Sequence, residues 1–253
     1  MISLNVDNRI ATLTIDRPKA LNALNGEVIQ ALHDHIEALD QRDDVRVVIL
    51  TGSGDKSFVA GADIAEFADY DQAGGEALAR RGHELLFNRV AAARKPYIAA
   101  VNGFALGGGL ELAMSCHVRI ASENARLGLP ETSLGVIPGY GGTQRLAQLV
   151  GKGRALEMML GAGMIDATTA AQWGLVNAVV PQEELMAAAQ KMAGKFIKHS
   201  GDAQAAVIRT VNAALEGGQG FEKEIEEFGQ RFATEEFNEG VQAFLGKRKP
   251  DFK

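Results

Sequence analysis

Two glutamates, Glu111 and Glu131, each stand in a glycine-rich setting that gives a carboxylate no obvious structural task. Glu111 closes the run Gly103-Phe-Ala-Leu-Gly-Gly-Gly-Leu-Glu. Glu131 follows Gly128-Leu-Pro and precedes Gly135-Val-Ile-Pro-Gly-Tyr-Gly-Gly142. Glycine runs let backbone N–H groups come close to a ligand. Two neighbouring carboxylates can divide the work of acid and base between them. The combination predicts an enzyme that polarises a carbonyl and moves protons beside it.

Amide donors are available at two places. Gly107-Gly108-Gly109 precedes a short apolar helix predicted over 110–116. The first N–H groups of a helix have no partner within it, and its dipole adds partial positive charge there. Together they suit a developing oxyanion. A tight strand-to-helix turn would explain the same glycines when they are read alone. Phe58-Val-Ala-Gly-Ala-Asp-Ile64 is the second place, with small residues flanking the N–H of Ala62. An ordinary turn with Asp63 as a helix cap accounts for that segment by itself. Neither segment is the Gly-x-Gly-x-x-Gly dinucleotide fingerprint, and no Gly-Lys-Ser/Thr phosphate loop occurs.

These groups need a frame to hold them. Residues 2–6 and 10–15 alternate about Asp7-Asn8, predicting a hairpin. Asn25 can cap a helix that carries Val28, Ile29, Leu32, Ile36 and Leu39 on one face. Residues 45–50 and 97–101 are near-continuous apolar runs, suited to strands covered on both faces. A helix is predicted from about 74 to 94, short strands over 118–121 and 175–180, and helices over 141–150 and 154–160. Beyond residue 182 helical patterns cover 183–198, 203–215, 221–234 and 237–245. Alternating strands and helices followed by helices alone predict an α/β core with a helical tail.

Bulk composition narrows the partners. The 253 residues carry 26 Lys+Arg and 32 Asp+Glu, a net charge of −6. That balance argues against nucleic acid as the main partner, although Lys247-Arg248-Lys249 forms a local basic run. The single Cys116 cannot form an intrachain disulfide, so a reducing compartment fits. Apolar runs of membrane-spanning length and presequence patterns are both missing, and a cytoplasmic protein is expected.

Taken together, the segments around residues 58–64, 102–114 and 128–146 resemble the crotonase (enoyl-CoA hydratase/isomerase) superfamily. The likeness extends to Arg17-Pro-Lys-Ala-Leu-Asn-Ala-Leu24, to 167–181 and to the final Lys-Arg-Lys-Pro-Asp-Phe, so it spans nearly the whole chain. The resemblance implies a spiral of β-β-α units over residues 1–195 and a helical trimerisation region over 196–253. It implies homotrimers that often pair into hexamers. An acyl-CoA substrate is also implied, with coenzyme A as part of that substrate and neither a separate cofactor nor a metal. By position, the N–H groups of Ala62 and Gly108 match the family's oxyanion hole, and Glu111 and Glu131 its two catalytic glutamates. Ala60, Asp63 and Ile64 fall where the family lines the CoA site. Lys19, Ala20 and Leu21 match another CoA-contacting stretch. The backbone at Gly139 matches the position that helps orient the second glutamate.

The pair of glutamates favours hydration of 2-enoyl-CoA to 3-hydroxyacyl-CoA. An enoyl-CoA isomerase or another acyl-CoA lyase of the same fold is the alternative, followed by a noncatalytic CoA- or RNA-binding member. Leu129 stands where mitochondrial-type hydratases resemble one another in having Gln, which bears on acyl preference. Other residues read as structural: His33, His35, His83, His117 and His199 lack metal-ligand spacing. Cys116 reads as a buried thiol, and Trp173, Met158, Met159 and Met192 as packing residues. Glu222, Glu224, Glu226 and Glu227 read as a solvated helix face.

Overall fold

The computed structural model of the chain describes residues 1–252. Strand β1 (Ile2–Asp7) pairs antiparallel with β2 (Ile10–Ile15), Ile2 opposite Ile15. Asn8 and Arg9 between them take φ of 49° and 66°, as a two-residue primed turn requires. Helix α1 (Gly26–Asp40) is capped by Asn25, whose side chain accepts the N–H of Val28, and the five apolar residues predicted to share a face are buried. Strand β3 (Val47–Gly52) starts two residues later than the apolar run. Val45 is buried, but its N–H donates to Arg42 in a turn. Burial and strand pairing are separate conditions.

Next come β4 (Ser57–Val59), α2 (Gln72–Gly82), a π turn over His83–Phe87 and α3 (Asn88–Ala91). The helix predicted over 74–94 is thus interrupted by a turn in which the N–H of Asn88 reaches the carbonyl of His83. They are followed by β5 (Tyr97–Val101), β6 (Phe104–Leu106), α4 (Gly108–Ser115), β7 (Val118–Ser122) and β8 (Arg126–Gly128). The chain continues through α5 (Gly142–Val150), α6 (Lys152–Gly161), β9 (Met164–Asp166), α7 (Ala167–Trp173) and β10 (Ala178–Val180). Strand β10 is shorter than predicted because the N–H groups of Leu175 and Val176 donate to Ala170 at the end of α7. Four helices finish the fold: α8 (Leu185–Phe196), α9 (Gly201–Gly217), α10 (Gly220–Arg231) and α11 (Glu235–Leu245).

The strands form two sheets. The larger has the order β1-β2-β3-β5-β7-β10, the smaller β4-β6-β8-β9. The stretches beginning at β3, β5 and β7 each give their first strand to the large sheet and their second to the small one. A chain repeating strand, strand, helix in this way winds as a spiral. On one face of the large sheet, Leu185, Ala189 and Ala193 of α8 pack against Val47, Ile49, Ile98, Ala100 and Ile120. The other face packs on α1, α4 and the π turn in the main core. Burying one such leucine contributes roughly 2 kcal/mol.

The carboxylate face expected on α10 needs correction. Glu222, Glu224 and Glu226 are exposed, but Glu227 is buried. It accepts two hydrogen bonds from Arg209 of α9, both 2.7 Å, and pairs with Lys223 and Arg231. A surface charge pattern cannot distinguish one turn of a helix from the next when a neighbouring helix supplies the cations. In the C-terminal basic run, Arg248 pairs with Glu239. No helix among the described residues is long and apolar enough to cross a membrane.

Candidate active site

The small sheet positions the site. Strands β4, β6 and β8 run parallel, with Val59 opposite Ala105 and Leu106 opposite Gly128. Their C-terminal ends therefore open on one edge, and three segments leave it together: 60–63, 107–108 and 129–131. These segments carry the two amides and the second glutamate singled out in the sequence, and the first glutamate follows one turn into α4.

The segment after β4 is held by Leu24. The N–H of Leu24 donates to Gly61 at 2.9 Å, and the N–H of Asp63 donates to Leu24 at 2.7 Å. In a parallel bridge the residue between those two faces away from its partner. Ala62 occupies that place. Gly108 is the first residue of α4, so its N–H has no intrahelical acceptor. Among the described residues neither amide donates to a backbone carbonyl. They are neighbours: a methyl group built on Gly108 would lie 3.7 Å from the Ala62 nitrogen. Gly107 makes the turn into α4 at φ 49°, ψ −125°, and a Cβ there would come 2.8 Å from Oε1 of Glu131. Glycine is needed on both counts.

Glu111 lies in the first turn of α4 and is 1% exposed. Its Oε1 accepts the N–H groups of Tyr140 at 2.8 Å and Gly142 at 2.7 Å. Burial pushes its pKa up to about 7. The two amides and Arg145 oppose the shift, and the nearby charge of Glu131 adds to it. Glu131 begins a one-turn 3-10 helix over Glu131–Leu134. That turn is pinned by Thr132 donating to Met159 at 2.6 Å and Ser133 donating to Pro130 at 2.7 Å. Burial raises the Glu131 pKa too, against a hydrogen bond from its own backbone. Among the described residues its Oε2 is buried without a hydrogen-bond partner. Such an atom is costly unless a ligand or water meets it.

Both carboxylates line one cavity of about 270 Å³, with Ala60, Ala62, Ile64, Gly108, Gly139 and Tyr140 also in its wall. The remainder of the wall is apolar, including Phe67, Leu78, Leu134, Val136 and Ile137. Lys19, Ala20, Leu21 and Asp63 do not line it. Asp63 pairs with Arg17 at 3.4 Å and makes no helix cap. The carbonyl of Leu21 accepts from Ala60 and from the Ser57 hydroxyl, fastening segment 17–24 to the outside of the cavity wall. Leu129 is wholly buried in the main core rather than facing the cavity. Cys116 is buried, which pushes its thiol up to about 12.

Nothing in the chain next to Glu111 marks Tyr140 and Gly142 as its partners. The cluster Gly139-Tyr-Gly-Gly142 was the available signal, because loop amides without bulky side chains can converge on an anion. Gly139 was expected to serve the second glutamate. The hydrogen bonds from this loop to a glutamate side chain come instead from its neighbours Tyr140 and Gly142, and go to Glu111.

Comparison with known proteins agrees with this architecture. The profile of the Enoyl-CoA hydratase/isomerase family matches residues 5–253. A short-chain-enoyl-CoA hydratase of Clostridium acetobutylicum is 44% identical, over 98% of this chain and 95% of its own length. A crotonyl-CoA hydratase of Syntrophomonas wolfei is 45% identical, over 99% and 97%. The crystal structure of an enoyl-CoA hydratase from Bacillus anthracis superposes with a TM-score of 0.93 at 35% identity, covering 100% of this chain and 98% of that one. Family profile, full-length relatives and fold agree: this chain is a member of the enoyl-CoA hydratase/isomerase family.

Proposed function

We propose that the chain catalyses the reversible hydration of a 2-enoyl-CoA to a 3-hydroxyacyl-CoA. The observation that carries this reading is the cavity itself, where two carboxylates and two unengaged amides meet in an otherwise apolar wall. The thioester oxygen accepts the N–H groups of Ala62 and Gly108. Water adds through its oxygen to C3 and gives a proton to the Glu111 carboxylate. The C2=C3 electron pair moves onto the thioester oxygen, forming an enolate. As the carbonyl re-forms, C2 takes a proton from the Glu131 carboxylic acid. Each amide contributes about 3 kcal/mol to the transition state, by analogy with other oxyanion holes. Burial raises the pKa of both carboxyl groups, and the charge of one favours the protonated form of the other.

Lys19, Ala20, Leu21 and Asp63 hold the coenzyme A portion outside the acyl cavity. Residues 196–253 assemble the chain into trimers or paired trimers. Support comes from the apolar side chains left exposed there, with Phe221 83% and Phe244 84% accessible. The enzyme works in the cytoplasm. Assaying water addition to crotonyl-CoA beside double-bond migration in a 3-enoyl-CoA tests the reading. Hydration is expected to dominate; migration without hydration would make the chain an isomerase.

A further inference from the structure

One contact set beside the site has no part in the mechanism above, and it centres on the ring of Tyr140. The ring stacks on Phe87 of the π turn, centroids 4.5 Å apart and planes 9° apart. One edge lies against Gly82, the last residue before that turn. A methyl group built on Gly82 would overlap Cε1 and lie 2.6 Å from Cδ1. The opposite edge faces Gly108, where a methyl would lie 3.5 Å from Cδ2. The Tyr140 carbonyl accepts from Arg145 at 2.8 Å, and Arg145 also donates to Asn88 at 2.8 Å, just past the π turn. Tyr140 is thus held by Phe87 on one ring face and Gly82 at one edge, with Arg145 tying its carbonyl to Asn88, while its own N–H holds Glu111. Single π turns inside α-helices recur at functional sites.

We propose that Gly82 is a positioning residue for the reaction: by leaving room for the Tyr140 ring, it sets where the amides of Tyr140 and Gly142 meet Glu111. The inference rests on the hydratase reading above. Phe87 covers one face of the ring and Gly108 stands at the edge opposite Gly82, so an added methyl at Gly82 displaces the whole residue. Its amide then leaves Oε1. Arg145 and Glu131 are the charged groups facing Glu111, and neither replaces the lost amide, since one is fastened to the same loop and the other is an anion.

The test is Gly82→Ala, Tyr140→Ala and the double variant, assayed for crotonyl-CoA hydration across pH. Gly82→Ala is expected to lower kcat by roughly tenfold to a hundredfold, the size of effect a small misplacement produces. KM should change little. The limb of the pH profile that reports Glu111 should move to higher pH, because burial is then less opposed. Helix propensity favours alanine over glycine, so a purely structural role would leave kcat and the pH limb in place. In the double variant the overlap is gone, and kcat should exceed that of Gly82→Ala alone. Parental kcat and pH limb in Gly82→Ala would overturn the proposal, as would independent, additive effects in the double variant. If the parental chain does not hydrate crotonyl-CoA, the hydratase reading fails by itself. The coupling of Gly82 to Tyr140 is then read from the melting temperatures of the four proteins, where additivity overturns it.

Discussion

The first turn of α4 and the short turn after β8 each present one glutamate to the same cavity, in different ways. Glu111 is sealed, and one of its oxygens is fixed by two loop amides. Glu131 is half-buried on a single 3-10 turn, and its buried oxygen has no hydrogen-bond partner among the described residues. Fixed donors within the chain orient Glu111, whereas among the described residues none meets Oε2 of Glu131. A sealed carboxylate held by fixed donors suits a base of constant geometry. A carboxyl group with an open oxygen suits proton delivery to a carbon that arrives with the substrate. The same contrast separates their linkage to folding, since the more buried group carries the larger electrostatic burden.

Removing either acid is the largest test. Glu111→Gln and Glu131→Gln should each lower kcat for crotonyl-CoA by about 10²–10⁴-fold, the range of general acid–base catalysis. Near-parental rates in both would break the account. The next effect concerns stability. Glu111 has an ordinary pKa of 4.5 and a folded one of about 7, so the folded state binds the extra proton. Its contribution is fully present below pH 4.5 and is lost as pH rises through 7. The loss amounts to about 3 kcal/mol, at 1.36 kcal/mol per pKa unit. Glu111→Gln should therefore gain stability over the parent at pH 8 and show little difference at pH 4.5, measured by urea unfolding at both.

In the C-terminal helices, Glu227 shows the opposite sign. Arg209 and the other cations hold its pKa down to about 2. Its contribution is present above pH 4.5 and lost as pH falls toward 2. Glu227→Ala should cost on the order of 2 kcal/mol at pH 7, less than a fully buried pair because Arg209 is partly solvated. The hydration rate per folded site should be unchanged. The smallest effect is expected for Glu131→Gln, whose stability should shift with pH in the same direction as Glu111→Gln but by less. An equal shift would erase the contrast between the two carboxylates.

Much of this was legible in the chain because glycine and glutamate are informative in combination. Ala62, Gly108, Glu111 and Glu131 are all in one cavity wall, as their spacing with glycine suggested. The long elements were legible from apolar periodicity, and α1 matches its predicted face residue by residue. The small sheet was not legible. Its strands are three residues each, too short for alternation to register, yet they bring the three site segments to one edge. Partnership across the chain was also hidden: nothing local to Gly82 announces Tyr140, and nothing local to Glu227 announces Arg209. The resemblance tied Leu129 to acyl preference, but its side chain lies in the core.

The claim on which the rest depends is that both acids act on one thioester. A crystal structure with a non-hydratable acyl-CoA analogue measures it directly. The thioester oxygen should lie within hydrogen-bonding distance of the Ala62 and Gly108 amides, with Glu111 and Glu131 flanking C2 and C3. An analogue bound with its thioester outside this cavity, or with either carboxyl group turned away from those carbons, would contradict the account.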